Sequence, residues 1–182
     1  GALLILDEIQ PGFGRTGALF AFEHYNCIPD ILVMGKGMAG GLPIGAFTAS
    51  KAHMSTLKDH PKLGHITTFG GNPVIASAAL ATLRELLKSS LIRDTLKKEH
   101  LFRNLLVHPL IREIRGKGLM LALIFDTPEI ANYLVLAAKE AGLLLFWLLF
   151  EPRAVRISPP LTLSEAEIRK GCSLILTLLD GY

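Results

Sequence analysis

The chain has 182 residues, half of them hydrophobic, with 19 Lys and Arg against 16 Asp and Glu. A formal charge of +3, spread without a basic block, does not suggest an electrostatic nucleic-acid binder. Mean hydropathy is high at +0.41, but the longest apolar run, LLLFWLLF at 143–150, is too short to cross a bilayer, so the excess reads as buried strands and interfaces.

Residues 2–7 (ALLILD) predict a fully buried parallel strand. A Gly- and Pro-rich loop follows, then ALFAFEHY, whose aromatics suit a short packed helix or turn. Residues 31–34 predict a second buried strand ending at Gly35-Lys36, and 43–50 a third. After a short helix at 51–58, the loop LGHITTFGGNP precedes a long helix over 73–89, with Asn72 as N-cap and Pro73 in the first turn. The spacing of residues 91–106 is helical. Residues 114–125 turn into strand, with Gly116 and Gly118 at a bend or bulge. A helix over 127–141, strands over 143–150 and 154–157, and a last helix opened by the capping box Ser164-x-x-Glu167 complete the pattern. The expected division is an α/β layer over 1–90, including the long helix, and a small α+β domain over 91–182. The opening strand, apolar on both faces, needs neighbours and covering helices. The chain therefore reads as the C-terminal part of a larger protein.

Cys27 and Cys172 match no metal spacing and read as ordinary thiols of a reducing, cytoplasmic compartment. The six histidines have no ligand spacing, and only His65 is placed near a site.

Chemistry concentrates in LLILDEIQPGFGRTG, residues 3–17. Gly12, Gly14 and Gly17 spell the dinucleotide fingerprint G-x-G-x-x-G. That fingerprint needs its glycines directly at the strand end, whereas here Asp7 and Glu8 intervene and would face the phosphates. An apolar strand ending in Asp7-Glu8 also fits the magnesium strand of a nucleotide hydrolase, which needs an upstream phosphate loop. A third reading pairs Asp7 with Lys36 in VMGKGMAGGLPIGA. Carboxylate and lysine at the ends of two strands of one sheet suit a pyridoxal ring, with the lysine on its aldehyde and the acid on its ring nitrogen.

The sequence resembles the class III pyridoxal-phosphate aminotransferases, of the acetylornithine, ornithine and other ω-amino aminotransferase group. LLILDEIQPGFGRTG, PDILVMGKGMAGGLPIGAF, HITTFGGNP, IRGKGLMLAL and VRISPPLTLSEAEI carry the likeness in the family's order over essentially the whole chain. The resemblance implies a fold-type I transferase: an α/β fold, here part of the large-domain sheet plus the small α+β C-terminal domain. Pyridoxal 5'-phosphate is the implied cofactor. Asp7 is implied to keep the pyridine nitrogen protonated, Gln10 to meet the ring 3-oxygen, and Ile9 to pack on the ring. Lys36 is the implied Schiff-base lysine and proton carrier. Thr68 is implied to hold the phosphate of the partner subunit's cofactor, which requires a homodimer. Arg156 is implied to meet a substrate carboxylate or an acidic side chain. Pro11 and Gly35 depart from the family pattern, and Gly35 is expected to loosen the strand end that aims Lys36.

The expected activity is transamination between an amine or ω-amino acid donor and a 2-oxo acid such as 2-oxoglutarate, with no membrane or nucleic-acid partner. The piece alone is expected to be inactive. The alternatives are a mutase or decarboxylase of the same fold, and a nucleotide-hydrolase fragment using LLILDE.

Overall fold

The computed structural model describes all 182 residues. They form two compact units, Gly1–Ile92 and Arg93–Tyr182.

In the first unit, β1 (Ile5–Asp7), β2 (Ile31–Gly35) and β3 (Gly45–Ala49) form a sheet in that order. β1 runs parallel to β2, and β3 is antiparallel to it. The expectation of a fully buried first strand is corrected: Leu3, Leu4 and Ile5 are 51%, 40% and 56% exposed. Within these 182 residues β1 is hydrogen-bonded on one side only, so its apolar side chains lack the second neighbour that burial needs. The aromatic stretch after the loop becomes a 3₁₀ turn, Ala21–Tyr25, and Lys36–Ala39 is a second one. α1 (Lys51–Ser55) is capped by Ser50, whose hydroxyl accepts from the His53 amide.

α2 (Pro73–Lys88) starts where the capping rules place it. The Asn72 side chain accepts from the Val74 and Ile75 amides at 3.0 and 3.3 Å. This helix packs on the Lys36–Ala39 turn. The approach is tight at Gly40 (φ +61°), where a Cβ would stand 2.6 Å from Thr82 Oγ1.

The second unit contains α3 from its third residue onward (Leu91–Leu105), β4 (Glu113–Lys117), β5 (Met120–Ile124), α4 (Pro128–Glu140), β6 (Phe146–Leu148), β7 (Glu151–Ile157) and α5 (Glu165–Asp180). Its sheet has the order β4-β5-β7-β6, with every pair antiparallel. Residues 114–125, expected as one bent strand, are the two arms of a hairpin. Gly118 (φ 62°) and Leu119 form the two-residue turn between the paired ends Lys117 and Met120, while Gly116 (φ 109°) lies within β4 opposite Leu121. Alternate residues Leu121, Leu123, Val155 and Ile157 join Phe102, Ile130, Leu134, Ile168, Cys172, Ile175 and Leu179 in one core, the period of two from the sheet meeting the helical period. No helix is long and apolar enough to cross a membrane.

Cys172 is 1% exposed in that core, and burial pushes its thiol up to about 11. The thiolate is the reactive form, so Cys172 is inert in the folded chain, while Cys27 is only half-buried. Titration with an aromatic disulfide reagent at pH 8 is expected to count one thiol, Cys27, in the native protein and two after denaturation. Two fast thiols in the native protein would overturn this.

Candidate active site

The site begins at the carboxyl ends of two neighbouring parallel strands, where open α/β sheets bind ligands. Asp7 is the last residue of β1 and pairs with Val33 of β2. Glu8 extends the ladder by donating its N–H to Val33 O at 2.8 Å, and the chain then turns, with Gly12 N–H donating back to Glu8 O at 3.1 Å. Inside this turn the Ile9 N–H donates to Asp7 Oδ1 at 2.9 Å, which fixes the rotamer of an otherwise exposed carboxylate.

β2 continues to Gly35, and Lys36 follows, exposed, as the first residue of the 3₁₀ turn. Lys36 has φ +42°. A left-handed backbone costs a non-glycine residue about 1–2 kcal/mol, and such strain clusters at functional positions. Gly35 before it is buried. A Cβ there would lie 3.2 Å from Ile44 O and 3.4 Å from Ile9 Cγ2. Ile9 and the residue preceding β3 therefore close on the strand end, and the looseness expected of Gly35 gives way to close packing. Through Ile9, the turn that carries Asp7 and Gln10 rests against the residue that precedes Lys36.

The structure thus brings Asp7, Ile9, Gln10 and Lys36 to one end of the β1–β2 pair. Thr68 lies in the exposed segment 59–71, ahead of the α2 cap. Arg156 belongs to the second unit. It stands on β7 between Ala122 of β5 and Phe146 of β6. Its Nη2 approaches Trp147 O at 3.5 Å, while its Nε is buried without a partner, a donor that calls for an acceptor. Arg156 lines a cavity of about 310 Å³ with Phe146, Pro159, Leu163 and Ile168 among its walls.

Both nucleotide readings of the opening motif fail on this geometry. Gly12, Gly14 and Gly17 sit in consecutive turns that lead to a 3₁₀ turn, so no helix N-terminus follows to receive a pyrophosphate. The hydrolase reading needs Glu8 to face a magnesium-bound water. Glu8 is instead 2% exposed, and its two oxygens accept from the Ala21 and Phe22 amides at 3.0 and 2.8 Å. No group of three or more His, Cys, Asp or Glu side chains is placed to hold a metal. This role of Glu8 was not legible in the sequence, because its partners lie 13 and 14 residues away and no local capping pattern announces them.

A lysine and a carboxylate at the ends of adjacent parallel strands are residue types that suit a pyridoxal ring. The chain belongs to the class-III aminotransferase family, whose model matches residues 1–179. It is 41% identical over 186 residues to an acetylornithine aminotransferase of Mycobacterium leprae, covering 100% of this chain and 44% of that protein. It is 43% identical over 191 residues to a putrescine aminotransferase of Pectobacterium atrosepticum, covering 100% and 41%. Among solved structures, the ornithine aminotransferase of Toxoplasma gondii matches with TM-score 0.89 and 35% identity over 99% of this chain and 44% of that one. A Bacillus anthracis aminotransferase matches with TM-score 0.91 and 31% identity over 100% and 45%. The chain thus spans less than half the length of these relatives. The fold is a partial fold-type I domain with mixed α/β content, and the family's cofactor is pyridoxal phosphate, seen at partial occupancy in one Toxoplasma gondii ornithine aminotransferase structure.

Proposed function

We propose that the protein containing these residues moves an amino group from an amine or ω-amino acid of the acetylornithine, ornithine or lysine type to a 2-oxo acid such as 2-oxoglutarate. The observation that carries this reading is the juxtaposition of Asp7 and the strained Lys36, joined through Ile9 and Gly35. Asp7, Ile9, Gln10 and Lys36 would hold the cofactor, and the carboxylate, amide and amine are the groups its ring and aldehyde require. Bound pyridoxal phosphate supplies an electron-poor ring that stabilises the carbanion left when the substrate carbon loses a proton. Lys36 would hold the cofactor through its amine at the aldehyde end, and the same amine would serve as the base and then the acid that moves the substrate proton. The Asp7 carboxylate would keep a proton on the ring nitrogen, a charge placed before the reaction needs it. Ile9 covers the ring and Gln10 donates to its oxygen.

In this proposal Gly1–Ile92 is part of the cofactor domain and Arg93–Tyr182 the small C-terminal domain. Thr68 holds the phosphate in the partner subunit of a homodimer, and Arg156 anchors a substrate carboxylate with its unpaired Nε. The test is the intact protein incubated with a panel of ω-amino donors and 2-oxoglutarate. Glutamate formed with donor-dependent kinetics and ping-pong patterns supports the reading. A rearranged amine without glutamate, or released carbon dioxide, would replace it with a mutase or a decarboxylase.

A further inference from the structure

Glu8 is a buried carboxylate that the reaction does not use. It is 2% exposed, and both its backbone groups and both its carboxylate oxygens are hydrogen-bonded. Its N–H ties the turn to β2 at Val33 O, and its carbonyl accepts from Gly12 N–H. Gly12 must be glycine for this contact, since a Cβ there would lie 2.6 Å from Glu8 O. Its side chain crosses to the start of the Ala21–Tyr25 turn, where each oxygen takes one backbone N–H, from Ala21 at 3.0 Å and Phe22 at 2.8 Å. Charge-assisted bonds of this kind are roughly twice as strong as neutral ones. Between these anchors the turn holds only Ile9, Gln10 and Pro11. Ile9 is the residue whose N–H fixes Asp7 Oδ1 and whose side chain rests on Gly35.

We propose that Glu8 is a positioning residue: its carboxylate sets the turn that aims Asp7, Ile9 and Gln10 at the cofactor, and it acts on the reaction only through them. This rests on the cofactor assignment made above. Glutamine at position 8 can accept one of the two bonds, but its NH₂ must then face the other backbone N–H, leaving a buried donor unpaired. The turn is released on one side, and Asp7 loses its fixed orientation. In the intact protein, Glu8→Gln is therefore expected to weaken pyridoxal phosphate binding about 10-fold or more, to shift the visible absorbance of the bound cofactor, and to lower kcat with little change in the donor KM.

A purely structural role would lower the unfolding midpoint but leave binding and absorbance unchanged in the folded enzyme. Glu99→Gln in the second unit serves as the matched control, since it removes a structural carboxylate without touching the site. Should Glu8→Gln fail to fold, Ala21→Pro removes one of the two donors from the other side. Position 21 opens its 3₁₀ turn, where proline is tolerated, and the same loss of affinity and shifted absorbance are expected. Wild-type affinity and absorbance in Glu8→Gln, or in Ala21→Pro if the first is unfolded, would overturn the proposal. Asp7→Asn keeps the two failures apart: if it disrupts the cofactor spectrum while the Glu8 variant does not, only the positioning role falls. If the wild-type protein binds no pyridoxal phosphate, both fall with the cofactor assignment.

Discussion

If the proposed function holds, Lys36→Ala in the intact protein is expected to abolish transamination, with kcat reduced by at least about 10⁴-fold, because one side chain would supply both the nucleophile and the proton carrier. Asp7→Asn should cost about 10²–10³-fold, the scale of removing one preorganised electrostatic group. Asparagine still accepts the Ile9 N–H at the same position, so that loss reports charge alone. Lys36→Arg keeps the charge, but its guanidinium cannot act as the nucleophile and is expected to be as inactive as alanine. Borohydride reduction of the wild-type holoenzyme followed by peptide mass spectrometry should place a pyridoxyl group on Lys36. Its appearance on another lysine, or retention of a tenth of the activity in Lys36→Ala, would sink the assignment. The backbone gives an independent handle. At φ +42°, Lys36 carries strain that glycine does not feel, so Lys36→Gly is expected to be inactive yet more stable than Lys36→Ala by about 1 kcal/mol. That pairing of lost activity with gained stability is what a strained functional residue produces.

The parts of the fold that were legible in the sequence are those set by local chemistry. Asn72-Pro73 and Ser164-x-x-Glu167 announce the starts of α2 and α5, because a cap is a contact between residues two or three apart. Asp7 and Lys36 stood out because a charged side chain ending an apolar strand is unusual. Contacts between distant segments were not legible. Burial of β1 was expected from its composition, but composition describes what a strand prefers and not whether a second neighbour covers it. The hairpin in 114–125 was read as a bend, since two glycines signal a change of direction without fixing its angle. Glu8 entered the sequence reading only through the two nucleotide motifs, and only the fold shows its carboxylate turned inward to two backbone amides. Arg156 was placed in a strand, but the unpaired Nε that distinguishes it from a surface ion pair is a property of packing.

Gly116→Ala is expected to destabilise the second unit by about 3 kcal/mol or more. Gly116 has φ +109°, and a Cβ would stand 2.0 Å from Met120 O, 3.0 Å from Met120 C and 3.1 Å from Leu121 Cα. All three are backbone atoms of the partner strand, so no side chain can swing aside. The hairpin cannot move as a body either. Arg103 of α3 donates to Ile114 O at 2.6 Å and Gly116 O at 2.8 Å, and Glu99 accepts from Gly118 N–H at 2.5 Å while holding Arg103 Nε at 2.9 Å. Relief of the clash therefore breaks these bonds and opens the edge of the core at Leu119 and Leu121, both almost fully buried. Two further glycines calibrate the effect. Gly142 has φ +83°, and an added Cβ would meet no atom within 4 Å, so Gly142→Ala should cost only the backbone strain of about 1–2 kcal/mol. Gly171 lies inside α5 with open space around it, and Gly171→Ala should stabilise by about 0.5–1 kcal/mol. Urea unfolding of the three variants, compared at constant m-value, should rank them Gly171→Ala above wild type, then Gly142→Ala, then Gly116→Ala. A Gly116→Ala variant as stable as Gly142→Ala would mean that the hairpin has room to shift, and that the Glu99–Arg103 clamp does not hold it.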